Sequence, residues 1–393
     1  MSDLIDELRV EDGTLWVRPV PEFGAPYLAD DFWAVYDDGI DLRGMDEAVA
    51  LMPFVLNAAP VAWVSGRSWL VPAMDRRQAE SLPRARETLR RWYPAAAWDG
   101  ELEARRVQDT AAGHGDGPPT LLFSGGVDST YAAVATPPPA VLTLVRGNDV
   151  ALDNAPGWAR VVREARSTAE RLGHRLVTVE SSFRRHFRRD VLDAIDPGLP
   201  NWWSHAQHGL ALIGLAAPVA ASHGSRRLLL PATHGDGFSE PWGSDPQLDE
   251  HASFGGVAVE HHGFGLTRQG RLRAIVEKAD EVGALPLRVC YSQVGGEGSN
   301  CLACEKCLRT ATGLLLEARE PLAFGIPLAP DEVERRVRAG YSEARFPSTS
   351  TTAFHWADLR ERAAEDGGLL SAEFRRWLLD FRFDSYGQPG AAA

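Results

Sequence analysis

The sequence has no long hydrophobic run and no excess of positive charge. Its longest apolar stretch, at 210–221, is too short and too interrupted to span a bilayer. No charged-then-apolar signal segment begins the chain, so we expect a cytoplasmic protein that does not enter a membrane. The net charge of −13 argues against a broad surface for nucleic-acid phosphates. The 393 residues, 44% of them hydrophobic, are enough for two domains.

Cysteine is scarce, and all four cysteines fall within one short segment. They are Cys290, Cys301, Cys304 and Cys307, in the spacing Cys-x10-Cys-x2-Cys-x2-Cys. Four thiolates suit tetrahedral Zn²⁺ and leave no open coordination position, which predicts a structural zinc site before a helix that begins near Glu305. An iron–sulfur cluster and a disulfide pair are the alternatives, and a cytoplasmic setting argues against the disulfide.

An apolar run that breaks at a glycine pair is the most informative motif. The residues Leu-Leu-Phe-Ser-Gly-Gly-Val-Asp-Ser-Thr span 121–130. A strand at 120–123 and a helix over 129–135 place the turn at the carboxyl end of the strand and the amino end of the helix. Backbone N–H groups and the helix dipole favour an oxyanion there, and the glycines let the backbone approach it.

The side chains of this turn indicate a phosphate site with a metal. Ser124 and Ser129 add hydroxyl donors, while Asp128 would repel a bare phosphate and is predicted to hold Mg²⁺. The turn lacks the Gly-Lys-Ser/Thr ending of a Walker A loop, which indicates a different nucleotide chemistry. The alternative is a glycine-rich turn that binds nothing. The predicted ATP-binding residues of the turn are Ser124, Gly125, Gly126, Val127, Asp128 and Ser129.

The motif Ser-Gly-Gly-Val-Asp-Ser resembles the pyrophosphate loop (PP-loop) of the N-type ATP pyrophosphatases, a group that includes asparagine synthetase, NAD synthetase, tRNA thiolases and 7-cyano-7-deazaguanine synthase. Leu-Arg-Val-Cys-Tyr, followed by Asn-Cys-Leu-Ala-Cys-Glu-Lys-Cys-Leu-Arg-Thr, is similar to the zinc region of 7-cyano-7-deazaguanine synthases. The resemblance covers roughly 119–317, half of the chain. It implies a doubly wound parallel α/β sheet with ATP at the carboxyl ends of the strands. It also implies that a substrate carboxylate is adenylated, with release of pyrophosphate, and then attacked by ammonia or an amine.

The pattern of apolar residues around the motif fits alternating strands and helices, which predicts βαβ units. Further strands are predicted at 140–145, 175–180 and 227–231, and further helices at 158–172, 203–221 and 272–282. In the first 110 residues the predicted strands are 14–20 and 62–71, and the predicted helices are 46–56 and 76–92. The predicted organisation is a small N-terminal α/β domain of unknown role over 1–110, a linker over 111–119, a PP-loop domain with the zinc site over 120–320, and a helical extension over 321–393 whose tail, 388–393, is frayed.

The loop after the strand at 227–231 is the predicted acceptor site, because it follows the carboxyl end of a strand. Its candidate substrate or Mg²⁺ contacts are His234, Asp236, Trp242, Ser244 and Asp245. Deazaguanine synthases carry a motif of the type Asp-Ser-Gly-Tyr-Pro-Asp-Cys-Arg here. Asp236, Ser239, Pro241 and Asp245 keep part of it, but its cysteine and arginine are missing, which leaves the identity of the carboxylate open. A Pro/Gly-rich surface turn is the alternative.

Other residues are assigned to the nucleotide from their positions in the chain and not from a motif. Leu144 and Asp149 lie in and after the second strand, although Asp149 also fits a plain turn. Arg268 or Arg271 is expected to stabilise negative charge on the leaving pyrophosphate, and the spacing does not choose between them. The arginine-rich run at 183–190 is interpreted as a solvated helix face rather than a contact for an anionic substrate or RNA.

Three other functions use some of the same features. A tRNA or small-molecule thiolation enzyme would need a catalytic cysteine beyond the metal cluster. True 7-cyano-7-deazaguanine synthesis and non-enzymatic nucleotide binding are the other two. The expected partners are a small-molecule or peptide carboxylate and a nitrogen nucleophile, with no nucleic acid and no membrane; the oligomeric state stays open.

Overall fold

The computed structural model describes residues 1–37, 39–235, 238, 240–290 and 299–383. The strands in these residues are β1 (Ser2–Asp3), β2 (Ile5–Glu11), β3 (Thr14–Pro19), β4 (Phe32–Tyr36), β5 (Ser68–Asp75), β6 (Glu101–Gln108), β7 (Thr120–Leu122), β8 (Val141–Arg146), β9 (Arg175–Ser181), β10 (Arg227–Pro231) and β11 (Ala258–His262). Eight of them form a mixed sheet of order β11-β10-β7-β8-β9-β4-β3-β2. The five strands from β7 to β11 are parallel to one another, whereas β4, β3 and β2 continue the sheet in antiparallel fashion.

Helices cover both faces of this sheet. They are α1 (Pro21–Tyr27), α2 (Glu47–Ala50), α3 (Met52–Val64), α4 (Arg76–Trp92), α5 (Val127–Ala135), α6 (Ala155–Leu172), α7 (Arg189–Leu192), α8 (His208–Ser222), α9 (Pro246–Asp249), α10 (Arg268–Val282), α11 (Glu305–Leu316), α12 (Pro330–Ser342), α13 (Ser350–Glu365) and α14 (Ala372–Asp380). Successive residues of β7 point to opposite faces. Leu122 joins a core with residues of α3 and α8, and Leu121 joins a second core with residues of α5, α6 and α10. The predicted α/β class is confirmed.

The amino-terminal region is joined to the central strands through β4. Ala34 pairs with Ser181 and Tyr36 with Val179, so regions 1–110 and 120–320 share one sheet. A second, three-stranded sheet of order β1-β5-β6 lies beside it. Between the two regions, the predicted linker at 111–119 is irregular, and its Gly117 N–H donates to the Gly224 carbonyl at 3.1 Å.

Several predicted elements need correction in detail. The helix at 76–92 is confirmed, but the predicted strand at 62–71 is correct only from Ser68, where β5 begins, since α3 extends to Val64. The predicted helix at 46–56 is two helices, α2 and α3. The predicted helix at 203–221 begins with a π-helical turn, Trp203–Gln207, before α8. The strand β11 has no counterpart among the predictions.

The carboxyl-terminal region of the described chain is helical, as expected. Helices α12, α13 and α14 pack in the core that also contains α10 and α11. The predicted frayed tail at 388–393 lies outside the described residues. Across the described ranges, none of the helices combines the length and apolar character that a membrane crossing demands.

Candidate active site

A cavity of about 470 Å³ opens at the carboxyl ends of the parallel strands. Its walls come from the segments that follow β7, β8, β9 and β10 and from the ends of α8, α10, α11 and α13. From β7 the parallel strands proceed through β8 and β9 on one side and through β10 and β11 on the other. Crevices of this kind, where the strand order reverses, are the usual ligand site of open α/β sheets. The volume falls in the ordinary range for small-molecule sites.

The Ser-Gly-Gly-Val-Asp-Ser turn borders this cavity. It joins β7 to α5, with Gly126 as the residue before the first helical turn. Gly125 has a φ of +76°, a left-handed conformation that favours glycine. The Oγ atoms of Ser124 and Ser129 lie 3.1 Å apart, and the Ser124 N–H donates to Ser129 Oγ at 3.1 Å. The predicted strand–turn–helix geometry is confirmed, and all residues of the turn except Gly125 line the cavity.

Asp128, at the start of α5, is held by two arginines. Its Oδ2 accepts from Arg268 Nη1 at 2.6 Å and its Oδ1 from Arg271 Nη1 at 2.8 Å. Burial raises the pKa of the carboxyl, but the charges of Arg268 and Arg271 outweigh burial, and the net pKa lies below the ordinary value. Asp128 is therefore ionised at neutral pH and anchors two cations beside the turn.

The two arginines on α10 have different surroundings. Arg271 is 1% exposed, and its Nη2 also donates to the carbonyl oxygens of His234 at 3.0 Å and Gly263 at 2.9 Å. Arg268 lines the cavity instead. The structure thus distinguishes two residues that sequence spacing left equivalent: Arg271 clamps the strand ends together, and Arg268 faces the cavity.

Arg288 is a site residue that the sequence analysis missed. Its Nη2 and Nε donate to the Ser124 carbonyl at 2.9 and 3.1 Å, and its backbone N–H donates to the Gly125 carbonyl at 2.8 Å. Nη2 also lies 3.3 Å from Asp149 Oδ2. Arg288 is the arginine of the Leu-Arg-Val-Cys-Tyr segment that is similar to the zinc region. That position two residues before Cys290 is the available signal, and it does not by itself indicate a contact with the turn.

The residues assigned to the nucleotide on the second strand also border the cavity. Leu144 and Asp149 both line it. Burial raises the pKa of Asp149, but the charges of Arg288 and Lys306 and the hydrogen bond from Arg288 together lower it by more, and the net pKa lies below the ordinary value. Asp149 thus does more than occupy a plain turn, because it carries a charge that is paired with Arg288.

Only some residues of the predicted acceptor loop lie at the cavity. His234, Trp242 and Ser244 line the cavity. Asp245 does not; its Oδ1 accepts from the Gln247 N–H at 2.8 Å and caps α9. Asp236 and Ser239 lie outside the described residues. Ser244 donates from Oγ to Asp249 Oδ2 at 2.9 Å, and the same oxygen accepts from His261 Nε2 at 2.9 Å.

Four aromatic nitrogens on the cavity wall have no partner within the described part of the chain. They are His208 Nδ1, His234 Nε2, Trp242 Nε1 and His355 Nδ1. Burial lowers the pKa of both His208 and His234 to about 4, and nearby cations contribute to both shifts. These imidazoles are neutral at pH 7. Buried polar groups normally have a hydrogen-bond partner, so this wall suits a polar ligand.

The cavity is rich in cations. Its cationic lining residues are Arg184, Arg189, Arg268, Arg288, Lys306 and Arg309, against the two carboxylates of Asp128 and Asp149.

The interpretation of 183–190 as a solvated helix face is wrong. Residues 183–186 form a turn, Phe183, His186 and Phe187 are buried, and α7 begins only at Arg189.

The four cysteines come together as predicted. Their Sγ atoms all lie within 4.8 Å of one another, close enough to bind one metal ion. Tetrahedral Zn–S bonds of about 2.3 Å would separate two sulfurs by about 3.8 Å, and Cys290–Cys304 and Cys301–Cys307 each measure 3.9 Å. Cys304 and Cys307 lie 3.4 Å apart, well beyond an S–S bond of about 2.05 Å, so the disulfide alternative is not supported.

The cysteine cluster is adjacent to the cavity. Cys290 is part of the cavity wall, and α11 begins directly after Cys304 and carries Lys306 and Arg309 to the same wall. A metal on the four sulfurs would therefore fix the segment with Arg288 and the start of α11 relative to one another.

No family model, curated protein or solved structure matches the chain. What the site does is therefore argued from its own chemistry. The lining of the cavity combines an oxyanion turn and several cations with neutral nitrogens and aromatic rings. This arrangement is suited to a ligand with both a polyanionic part and a polar, less charged part.

Proposed function

We propose that the chain is an ATP-dependent enzyme that adenylates the carboxylate of an acceptor, releases pyrophosphate, and joins the activated acyl group to ammonia or an amine. The observation that carries this proposal is the Ser124–Ser129 turn, which opens at the start of α5 onto a cavity that Arg268, Arg288 and Lys306 also line. Together with the sequence resemblance, this supports a doubly wound PP-loop domain of the N-type ATP pyrophosphatase group.

The turn would hold the β and γ phosphates of ATP. Backbone N–H groups at the start of α5 and the Ser124 and Ser129 hydroxyls are donors for phosphate oxygens. When the α–β bond breaks, negative charge grows on the leaving pyrophosphate, and Arg268 is placed on the cavity wall to stabilise it. Stronger contacts to the leaving pyrophosphate than to bound triphosphate are what make such a site catalytic.

Mg²⁺ fits the site through Asp128. Each oxygen of a carboxylate has two lone pairs, and the arginine hydrogen bonds occupy one on each oxygen of Asp128. Asp128 would hold the ion beside the phosphates, where it would neutralise part of their charge. The zinc proposed on the four cysteines is structural, since four thiolates fill its coordination sphere.

The acceptor would lie against His234, Trp242 and Ser244. The neutral imidazole of His234 does not repel a cationic amine, and its unpartnered nitrogen is available for a hydrogen bond. The Ser244 hydroxyl donates its proton to Asp249, which leaves its oxygen to accept a hydrogen bond from the cavity side. These groups are suited to orient a nitrogen nucleophile towards the activated carboxylate.

The cysteines argue against the thiolation alternative. All four cysteines of the sequence belong to the cluster, so sulfur transfer would have to use a residue of the metal site. The structure contains no observation that favours 7-cyano-7-deazaguanine synthesis, because Asp236 and Ser239 in the distinguishing motif lie outside the described residues.

The decisive experiment is product analysis. The protein is incubated with Mg-ATP, ammonia or simple amines, and a panel of carboxylic acids; we expect acid-dependent formation of AMP and pyrophosphate. Ser124→Ala should reduce the rate, while Ser342→Ala, on the exposed surface of α12, should not. Formation of ADP and phosphate would refute the proposal, and so would full activity in the Ser124→Ala plus Asp128→Ala double variant.

A further inference from the structure

The arginine run at 183–190 contains two kinds of arginine. Arg185 and Arg188 form ion pairs with Asp30 and Asp190 on the surface. Arg184 and Arg189 line the cavity. In the described ranges, neither of these two forms an ion pair with a carboxylate. Half-buried Arg184 and exposed Arg189 thus border the cavity without a carboxylate partner among the described residues, whereas Arg185 and Arg188 are paired with carboxylates outside its lining.

Arg184 is held in place by neutral groups. Its guanidinium lies 5.0 Å from the centre of the Trp203 ring, and Nη1 donates to the backbone oxygen and Oδ1 of Asn148, each at 3.2 Å. Such contacts orient a guanidinium without neutralising it. The carboxylate of Asp149, which also acts on Arg184 through space, is hydrogen-bonded to Arg288.

The two cavity arginines repel each other. Burial lowers the pKa of Arg184, and the charge of Arg189 lowers it further, against the opposing effect of Asp149. Two like charges placed together beside a cavity are destabilising unless an anion lies between or near them. The guanidinium fork matches carboxylate and phosphate oxygens in two-point contacts.

These arginines are separate from the phosphate turn. They follow β9, whereas the turn follows β7, and β8 lies between the two strands in the sheet. Arg288 and Asp149 form an ion pair in the wall after β8. The triphosphate of ATP, if bound at the turn, would have other cations available in the cavity lining: Arg268, Arg288 and Lys306.

We propose that Arg184 and Arg189 form a second anion subsite, which binds a further acidic group, a carboxylate or phosphate, on the acceptor. This inference rests on the proposed function, since it identifies the acceptor class of that site: an acid with at least two acidic groups, one adenylated and one held by the arginine pair. A compound with a single acidic group would leave Arg189 without a carboxylate partner in the described part of the chain and Arg184 with only the through-space effect of Asp149, which is already paired with Arg288.

A chemical-modification experiment tests the subsite and does not depend on an activity assay. Phenylglyoxal reacts with accessible arginines, and peptide mass spectrometry locates the adducts. Inorganic phosphate, the probe, should protect Arg184 and Arg189 in the wild type and also in Ser124→Ala, whose phosphate turn is impaired. If phosphate does not protect Arg184 and Arg189, or protects them no better than Arg185 and Arg188, the subsite is refuted even if ATP is cleaved as proposed.

A kinetic experiment tests the acceptor class. Acids are offered in matched pairs that differ by one acidic group, glutarate against butyrate and 3-phosphoglycerate against glycerate. Activity with glutarate would identify the second group as a carboxylate, and activity with 3-phosphoglycerate would identify it as a phosphate. The active class should have two acidic groups. In Arg184→Gln plus Arg189→Gln its KM should rise by about tenfold to a hundredfold, the loss expected for hydrogen bonds to a charged group, with the KM for ATP little changed.

Arg185→Gln plus Arg188→Gln is the matched control, because it removes two charges from the same run outside the cavity. Preference for acids with one acidic group, or equal effects of the two double variants, would overturn the inference while AMP formation still supported the proposed function. Stimulation by tRNA in place of a small acid would overturn it in favour of a nucleic-acid acceptor. If no acid yields AMP, the proposed function fails, and phosphate protection still decides whether the subsite exists.

Discussion

Arg288 and Ser124 are 164 residues apart in sequence, yet the Arg288 guanidinium donates two hydrogen bonds to the Ser124 carbonyl. The backbone N–H of Arg288 also donates to the Gly125 carbonyl. The segment before Cys290 therefore supports the Ser124–Ser129 turn, although it lies far from that turn in sequence. The cysteine cluster is therefore linked to the turn through Arg288, which lies two residues before Cys290 in the chain.

We expect Arg288→Gln to impair use of ATP more than use of the acceptor. Loss of charge-assisted contacts to the turn and Asp149 should lower kcat/KM for ATP by about tenfold to a hundredfold, with a smaller change in the acceptor KM. Steady-state pyrophosphate release measures both constants. Arg319→Gln removes a guanidinium from an exposed pair with Asp280 and should leave both constants unchanged; a matching loss there would show that the effect is nonspecific.

Asp128→Asn should destabilise the fold, because it leaves the charge of the buried Arg271 without its carboxylate partner. Breaking a buried ion pair from one side costs about 3 kcal/mol or more, and urea unfolding measures the change in free energy. Asp280→Asn, which breaks the exposed pair with Arg319, should cost less than about 1 kcal/mol. Equal losses would contradict the clamp described for Arg271.

Arg268→Gln tests whether the two arginines that bind Asp128 have different roles, one in activity and one in the stability of the fold. Arg271 still neutralises Asp128, so the unfolding free energy should fall less than in Asp128→Asn. Pyrophosphate release should nevertheless drop sharply, since the cation that faces the cavity is gone. A variant with normal activity and strongly reduced stability would assign the structural role to Arg268 instead.

Metal removal should destabilise the protein and weaken ATP binding together. Elemental analysis should find one zinc ion per chain, and Cys304→Ser should lose the metal and lower the Tm, since the four sulfurs constrain Cys290 and the start of α11. Ser299→Ala, beside the cluster, should keep the metal. A metal-free protein with unchanged Tm would exclude a structural site, and iron with sulfide would indicate a cluster.

Stability should fall as the pH is lowered below neutrality. Burial lowers the pKa of His186, His208 and His234 from 6.5 to about 4. The unfolded chain therefore binds more protons between pH 6.5 and 4, so the free energy of unfolding decreases across this window, by roughly 3 kcal/mol for each histidine at about 1.4 kcal/mol per pKa unit. Urea unfolding at pH 7 and pH 5 measures it. His186→Asn should reduce the slope with pH, and an unchanged slope would remove His186 from the explanation.

The local elements of the phosphate turn could be predicted from sequence because their signals are local. The apolar run before Ser124, the glycine pair and the small residues after it predict a strand, a turn and a helix in order, and the structure has all three. The spacing of Cys301, Cys304 and Cys307 was equally direct, since cysteines with only two residues between them come together without knowledge of the rest of the fold.

The elements that failed depend on contacts distant in sequence. An apolar run such as 62–71 has no period that separates a buried helix from a buried strand, and its first three residues belong to α3. Arg184 and Arg288 lie in segments that the sequence singles out, but their roles depend on Trp203 and Ser124, which only the folded chain brings near. The pairing of β4 with β9 is likewise a tertiary outcome.

That pairing limits how the chain can be shortened. A polypeptide beginning at residue 119 would keep the phosphate turn and all four cysteines, yet it would expose the backbone N–H and C=O groups along one side of β9 that now bond to β4. It would also uncover the apolar face that packs against α3. Unprotected strand edges pair with other molecules, so we expect such a fragment to aggregate, however well the residues that line the cavity are preserved.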